Sequence, residues 1–82
     1  MAGFWVELAG PSGQLWFTAA VEAPQASTAA EYAAREGRTY CARADPTARA
    51  GIPTLASIRV WTASSAAVRR PGGTPVFTAA LT

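Results

Sequence analysis

The sequence predicts one small α+β domain, in which a mostly antiparallel sheet packs against a single alanine-rich helix. Three observations favour this fold class. Apolar and polar side chains alternate along residues 4–9 and 14–22, alanines recur at helical spacing over residues 26–34, and residues 55–62 are rich in β-branched side chains. The expected element order is β-β-α-β-β-β, and all 82 residues belong to one domain.

The first two predicted strands form a hairpin across residues 10–13, where Pro11 presets φ and Gly13 can adopt a positive φ. A register with Leu8 opposite Leu15 separates their side chains into two faces. The first face should meet the helix and consists of Phe4, Val6, Leu8, Leu15, Phe17 and Ala19. The second, outer face carries Trp5 and Trp16 together with Glu7, Gln14 and Thr18.

The predicted helix covers residues 29–36, with a start near Gln25 as an alternative. Thr28 and Glu31 have the spacing of a capping box, with Thr28 as N-cap, and Gly37 fits the C′ position that follows a helix. The apolar stripe of this helix contains only alanines, so its axis can lie close to the sheet.

Three further strands are predicted at residues 38–44, 55–62 and 76–81, with a turn at 45–47. In the strand at 55–62, Ile58 and Val60 should face the core, whereas Arg59 and Trp61 should face outward. Residues 63–75 are expected to form a polar loop that contains Arg69 and Arg70.

The composition limits the classes of function. All seven basic residues are Arg, and Lys, His and Asn are absent, a bias typical of a high-GC bacterial genome or of a phage or mobile element adapted to one. A net charge of +2 does not require a nucleic-acid partner. The single Cys41 excludes an intramolecular disulfide, and we expect the reducing cytoplasm of a bacterial host cell. Neither a signal peptide nor a membrane span is predicted.

Catalysis is not expected from this chain. The usual general base near neutral pH is missing because there is no His, and Cys41 has no His to activate it as a nucleophile. A metal site is not predicted either, because Cys41 has no second Cys beside it. We therefore predict no catalytic residue, no metal and no cofactor.

The outer sheet face is the predicted partner-binding surface, because Trp and Arg are enriched at binding hot spots. Two alternatives explain the same side chains: the 63–75 loop or the last strand covers the indoles as a second small core, or a homodimer buries them. The candidate partner-binding residues are Trp5, Glu7, Trp16, Arg59, Trp61, Arg69 and Arg70.

In its short length, its compact hairpin, its alanine-rich helix over residues 28–37 and its later strands, the chain resembles small accessory proteins of phages and mobile elements, anti-CRISPR proteins among them. The resemblance covers the whole chain as an architecture. It implies a non-catalytic inhibitor that docks on a host protein or ribonucleoprotein complex and blocks it.

Two other function classes remain as alternatives. A nucleic-acid-binding protein would stack bases on the indoles, or would use residues 28–53, which resemble the start and end of an excisionase-type winged helix. In that second version Pro46 would lie inside the recognition helix, where proline is unfavourable. A self-associating structural or virion subunit would bury the outer face against copies of itself.

Overall fold

A four-stranded antiparallel sheet with one helix on its inner face forms the domain, which confirms the predicted α+β class. The computed structural model describes residues 1–10, 13–44, 57–64 and 66–80. The elements are β1 (Ala2–Ala9), β2 (Leu15–Ala23), α1 (Ala26–Ala44), β3 (Ser57–Thr62) and β4 (Phe77–Ala80). Their order in the sheet is β2-β1-β3-β4, so β1 and β3 are the interior strands.

The core lies between the sheet and α1, and it follows the predicted division of faces. Buried side chains of β1 and β3 pack against the alanine stripe of the helix, and Phe77 of β4 packs at the margin. Since the helix presents only small side chains, the large side chains of the sheet fill most of the core volume. The buried cluster consists of Phe4, Val6, Leu8, Ala23, Ala29, Ala30, Ala33, Ile58 and Val60.

The helix is longer at both ends than the sequence predicts. It begins at Ala26 and continues through Gly37 to Ala44, so the strand predicted at residues 38–44 is wrong and Cys41 belongs to the helix. Gly37 is buried against Leu8 and Phe17, and a Cβ at this position would collide with the Leu8 side chain. Gly37 therefore permits close approach of α1 to the hairpin and does not end the helix.

The register predicted for the hairpin is wrong by two residues. Leu8 pairs with Phe17 and Val6 with Ala19. Because strand side chains repeat every two residues, this shift keeps Phe17 and Ala19 on their predicted face, whereas Leu15 does not keep its own. Ala9 then pairs with Leu15, so Trp16 is an extra residue of β2, a β-bulge.

The later strands agree with the sequence where they are described. Phe77 pairs with Val60 and Ala79 with Ile58, so both lie on the inner face. The predicted turn at 45–47, the start of the third predicted strand at 55–56, and Leu81 lie outside the described residues. Among the described helices, none has the length and apolar character that a membrane span requires.

Candidate functional site on the outer sheet face

The part of the outer sheet face around Trp5, Glu7 and Trp61 is covered by residues 66–76, which lead from β3 to β4 and which we call the strap. Before the strap, the Ala63 amide donates a hydrogen bond to the Gly3 carbonyl at 3.0 Å. At its end, the Val76 amide donates to the Val60 carbonyl at 2.7 Å. Trp5 and Trp61, which pair across β1 and β3, are both buried. The prediction that the indoles are open to a partner is therefore wrong for these two residues. The alternative, in which the loop after β3 covers them, is confirmed.

Glu7 lies at the centre of this covered face and is only 3% exposed. Its Oε2 accepts hydrogen bonds from Trp5 Nε1 at 3.1 Å and from Arg70 Nε at 2.9 Å, and its Oε1 accepts one from Arg70 Nη2. This is the two-bond geometry in which a guanidinium pairs most strongly with a carboxylate. A charged group so far from water requires such partners, so Arg70 is structurally necessary for Glu7.

Arg70 also links the strap to the indole of Trp61. Its Cζ lies 5.0 Å from the centroid of the Trp61 ring, within the range of a cation–π interaction. Trp61 Nε1 donates a hydrogen bond of 3.0 Å to the carbonyl of Gly73, whose φ of 93° is accessible mainly to glycine. We call the connected group of Trp5, Glu7, Trp61 and Arg70 the clasp.

The clasp keeps Glu7 ionised. Burial is the largest single influence and alone would raise the pKa of Glu7. The hydrogen bonds from Arg70 and Trp5, together with the charges of Arg70 and Arg59, outweigh burial and hold the pKa below its ordinary value of 4.5. The hydrogen bond to Glu7 in turn raises the pKa of Arg70. At neutral pH Glu7 is thus a charged hydrogen-bond acceptor and is poorly suited to general acid catalysis.

The remaining predicted site residues are exposed, and they lie at two places. Arg59 pairs with Glu7 across β1 and β3 and so lies beside the clasp, and Arg69 precedes Arg70 in the strap. Trp16 lies at the bulge near the end of the hairpin and is 36% exposed. Its Nε1 occupies the space into which a side chain at position 10 would project, so Gly10 leaves room for the indole.

Leu15 is a functional candidate that sequence reasoning missed. We expected it in the core opposite Leu8, but the bulge pairs it with Ala9 instead, and it is 49% exposed. A β-bulge leaves no distinct mark in an alternating pattern, so the sequence alone does not predict this change. Leu15 and Trp16 together form the exposed apolar end of β2, which we call the hairpin edge.

Both structural versions of the nucleic-acid hypothesis conflict with this geometry. A sheet that stacks bases needs accessible aromatic rings, and Trp5 and Trp61 are covered. The winged-helix version needs a helix that ends near Gly37, followed by a second one. Instead, α1 continues without interruption to Ala44.

Comparisons of the chain with protein-family models, with curated proteins and with solved structures found no match. Within the described part of the chain, no group of three or more Cys, Asp or Glu residues is placed to hold a metal ion. The function must therefore be inferred from the surface that the chain itself presents.

Proposed function

We propose that this chain is a non-catalytic macromolecule-binding protein, which docks on a host protein or ribonucleoprotein complex through the hairpin edge and inhibits it. The observation that carries the proposal is the exposure of Trp16. All other Phe and Trp residues of the chain are buried or half-buried, whereas Trp16 and its neighbour Leu15 are open to solvent. Inhibition by docking is the activity that the resemblance to phage and mobile-element accessory proteins implies.

The position of the hairpin edge suits a docking role. β2 lies at the edge of the sheet, and in the described part of the chain it pairs with β1 alone. Its nine residues include a single charged side chain, Glu22. An indole offers a large apolar surface and one hydrogen-bond donor, the combination most enriched at hot spots. A partner can reach Trp16 and Leu15 without any rearrangement of the chain.

The state of the covered carboxylate supports binding over catalysis. Glu7 is the buried carboxylate among the described residues, and its two oxygens accept hydrogen bonds from Arg70 and Trp5. Its role is accordingly structural. The expected place of action is the cytoplasm of a high-GC bacterial host, where the thiol of Cys41 stays reduced.

Capture of partners from a lysate of such a bacterium tests the proposal. The immobilised chain should retain a partner, and the Trp16→Ala variant should lose it. The Tyr32→Ala variant is a matched control, because Tyr32 is a similarly exposed aromatic residue on the helix, away from the hairpin edge in the sequence. Equal melting temperatures of the three proteins would show that the fold is retained.

The outcomes separate the classes of function. An activity of the captured partner should fall when the wild-type chain is added. The same activity should stay unchanged when the Trp16→Ala variant is added instead. Retention by Trp16→Ala equal to that of the wild type would overturn the proposal. Salt-dependent capture of nucleic acid alone would favour the nucleic-acid alternative. A concentration-dependent mass above 8.5 kDa with nothing captured would favour a self-associating subunit.

A further inference from the structure

We infer that the strap is a reversible cover, which opens as a unit while the sheet and helix stay folded and thereby uncovers Trp5 and Trp61. In its closed state the strap covers a second aromatic surface, which these two indoles form. The inference goes beyond the proposed docking of the hairpin edge and needs no partner to be tested.

The strap has no apolar anchor of its own. Each of residues 66–76 is exposed or half-buried, and the valines Val68 and Val76 are 87% and 59% exposed. Side chains added at Gly72 or Gly73 would project into open space. By contrast, every residue of β1 from 4 to 9 is buried. Segments with few buried apolar contacts are the ones that open at the lowest free energy.

Polar contacts at a few points hold the strap to the sheet. Arg70 contacts Glu7 and Trp61, the Gly73 carbonyl accepts the indole hydrogen bond of Trp61, and the Val76 amide bonds to β3. The Arg70 side chain is half-exposed, so water can replace its partners. Because these contacts are few and the strap has no buried apolar side chain, their loss together would release it.

Opening also avoids the usual cost of breaking a buried ion pair. That cost arises when the remaining charge stays away from water. Here the strap that supplies Arg70 is also the layer packed over Glu7, so its departure hydrates the carboxylate at the same moment. The exposed surface would then present two adjacent indoles beside Arg59, a composition typical of binding hot spots.

Native-state hydrogen exchange of the whole chain, followed by NMR, tests the inference directly. The indole N–H of Trp61 reports opening of the strap, and the amides of Val6 and Leu8 on the interior strand β1 report unfolding of the sheet. After correction for intrinsic rates, the indole should exchange many-fold faster than the two amides. Its rate should also depend less on added urea, because opening exposes less surface than unfolding. Equal rates with equal urea dependence would overturn the inference.

Two variants with opposite expectations, Arg70→Ala and Ile58→Val, sharpen the test, and Arg69→Ala is a control. Arg70→Ala should speed indole exchange several-fold, whereas Arg69→Ala, which removes the adjacent Arg outside the clasp, should leave it unchanged. Ile58→Val weakens the core on the inner face, so it should speed exchange at Val6 and Leu8 without changing the indole rate. An indole rate that follows Ile58→Val, or that ignores Arg70→Ala, would contradict a separate opening of the strap.

Fluorescence provides a second readout of opening. Replacement of Trp16 by Phe leaves Trp5 and Trp61 as the only tryptophans. In that background, Arg70→Ala should increase quenching by acrylamide several-fold while the far-UV circular dichroism is retained. Unchanged quenching would count against the inference. Failure of these tests would leave Trp16-dependent capture unaffected, so the two proposals stand or fall separately.

Discussion

Glu7 of β1 and Arg70 of the strap are 63 positions apart in the sequence, and they form the two-bond ion pair that fastens the strap to the sheet. A carboxylate in the centre of an interior strand is unfavourable unless a cation reaches it. Arg70 satisfies this requirement and at the same time lies over Trp61. The two residues therefore explain why this sheet has a covered outer face, which a single helix alone would leave open.

The two adjacent arginines of the strap should differ in their effect on stability. Arg70→Ala should lower the melting temperature, because Glu7 would lose both bonds from the guanidinium and Trp61 its cation–π contact. Arg69→Ala removes an equal charge from the preceding position and should leave the melting temperature unchanged. Differential scanning calorimetry of the three proteins checks this, and equal losses from both substitutions would contradict the role of Arg70.

Glu7 should make stability depend on pH in the acidic range. Its pKa in the folded chain lies below the ordinary 4.5, so its stabilising contribution is present above pH 4.5 and disappears as the pH falls through the lower, folded value. Glu7→Gln lacks this titration. Urea unfolding should show a wild-type advantage at pH 7 that shrinks towards pH 3. The other carboxylates are common to both proteins and cancel, so a constant difference would refute the assignment.

The three tryptophans should separate into two classes by their effect on stability: Trp5 and Trp61 are buried, and Trp16 is exposed. Trp61→Ala should reduce the free energy of unfolding by about 3 kcal/mol or more, since it removes a buried ring and leaves a cavity under the strap. Trp16→Ala should cost less than about 1 kcal/mol, because the ring is exposed. Urea denaturation measures both values. A large loss of stability for Trp16→Ala would make that residue part of the core and remove the basis of the proposed function.

Gly37→Ala should destabilise the chain although alanine is the better helix former. The helix itself would gain about 1 kcal/mol, but the new Cβ would collide with Leu8 and crowd Phe17 in the closed core, at a cost of about 1–3 kcal/mol. We expect a net loss of about 1 kcal/mol, measured by urea denaturation. Gly72→Ala is the control, because its Cβ meets nothing within 4 Å. A gain in stability for Gly37→Ala would show that the helix does not lie this close to the hairpin.

Gly10→Ala should displace the indole of Trp16 with little change in stability. The added Cβ would overlap Trp16 Nε1, and this ring has solvent into which it can move. We expect the Trp16 emission to shift to longer wavelength and Trp16-dependent capture to weaken. The emission of Trp16 is isolated by subtraction of the matching Trp16→Phe spectra. An unchanged spectrum would contradict the contact between Gly10 and Trp16.

The sequence predicts the inner half of this domain well because that half depends on alternation. Phe4, Val6 and Leu8 repeat every two residues, and the core forms on the side that they define. The helix end was mispredicted because Gly37 has the same appearance in sequence whether it ends a helix or permits close packing. The hairpin register was mispredicted because the turn pairs Gly10 with Gln14 and the bulge at Trp16 adds one more residue to β2, and the alternating sequence pattern reveals neither change.

The outer half was harder to predict because its cover consists of small and polar residues. Residues 66–76 lack the apolar periodicity that identifies a packed segment, so the sequence predicts a simple loop. One indication was present. Glu7 lies beside the Trp5–Trp61 pair and opposite Arg59, and a carboxylate next to two indoles calls for a further partner from elsewhere in the chain. Arg70 is that partner, but nothing local distinguishes it from Arg69.

The interior position of β1 affects the order in which the domain can assemble on the ribosome. β1, β2 and α1 emerge first and can associate through contacts that are close in sequence. Until β3 has left the exit tunnel, however, one edge of β1 has unsatisfied backbone groups and its indole and carboxylate have no cover. This edge is therefore open to mispairing until β3 pairs with β1 and closes it.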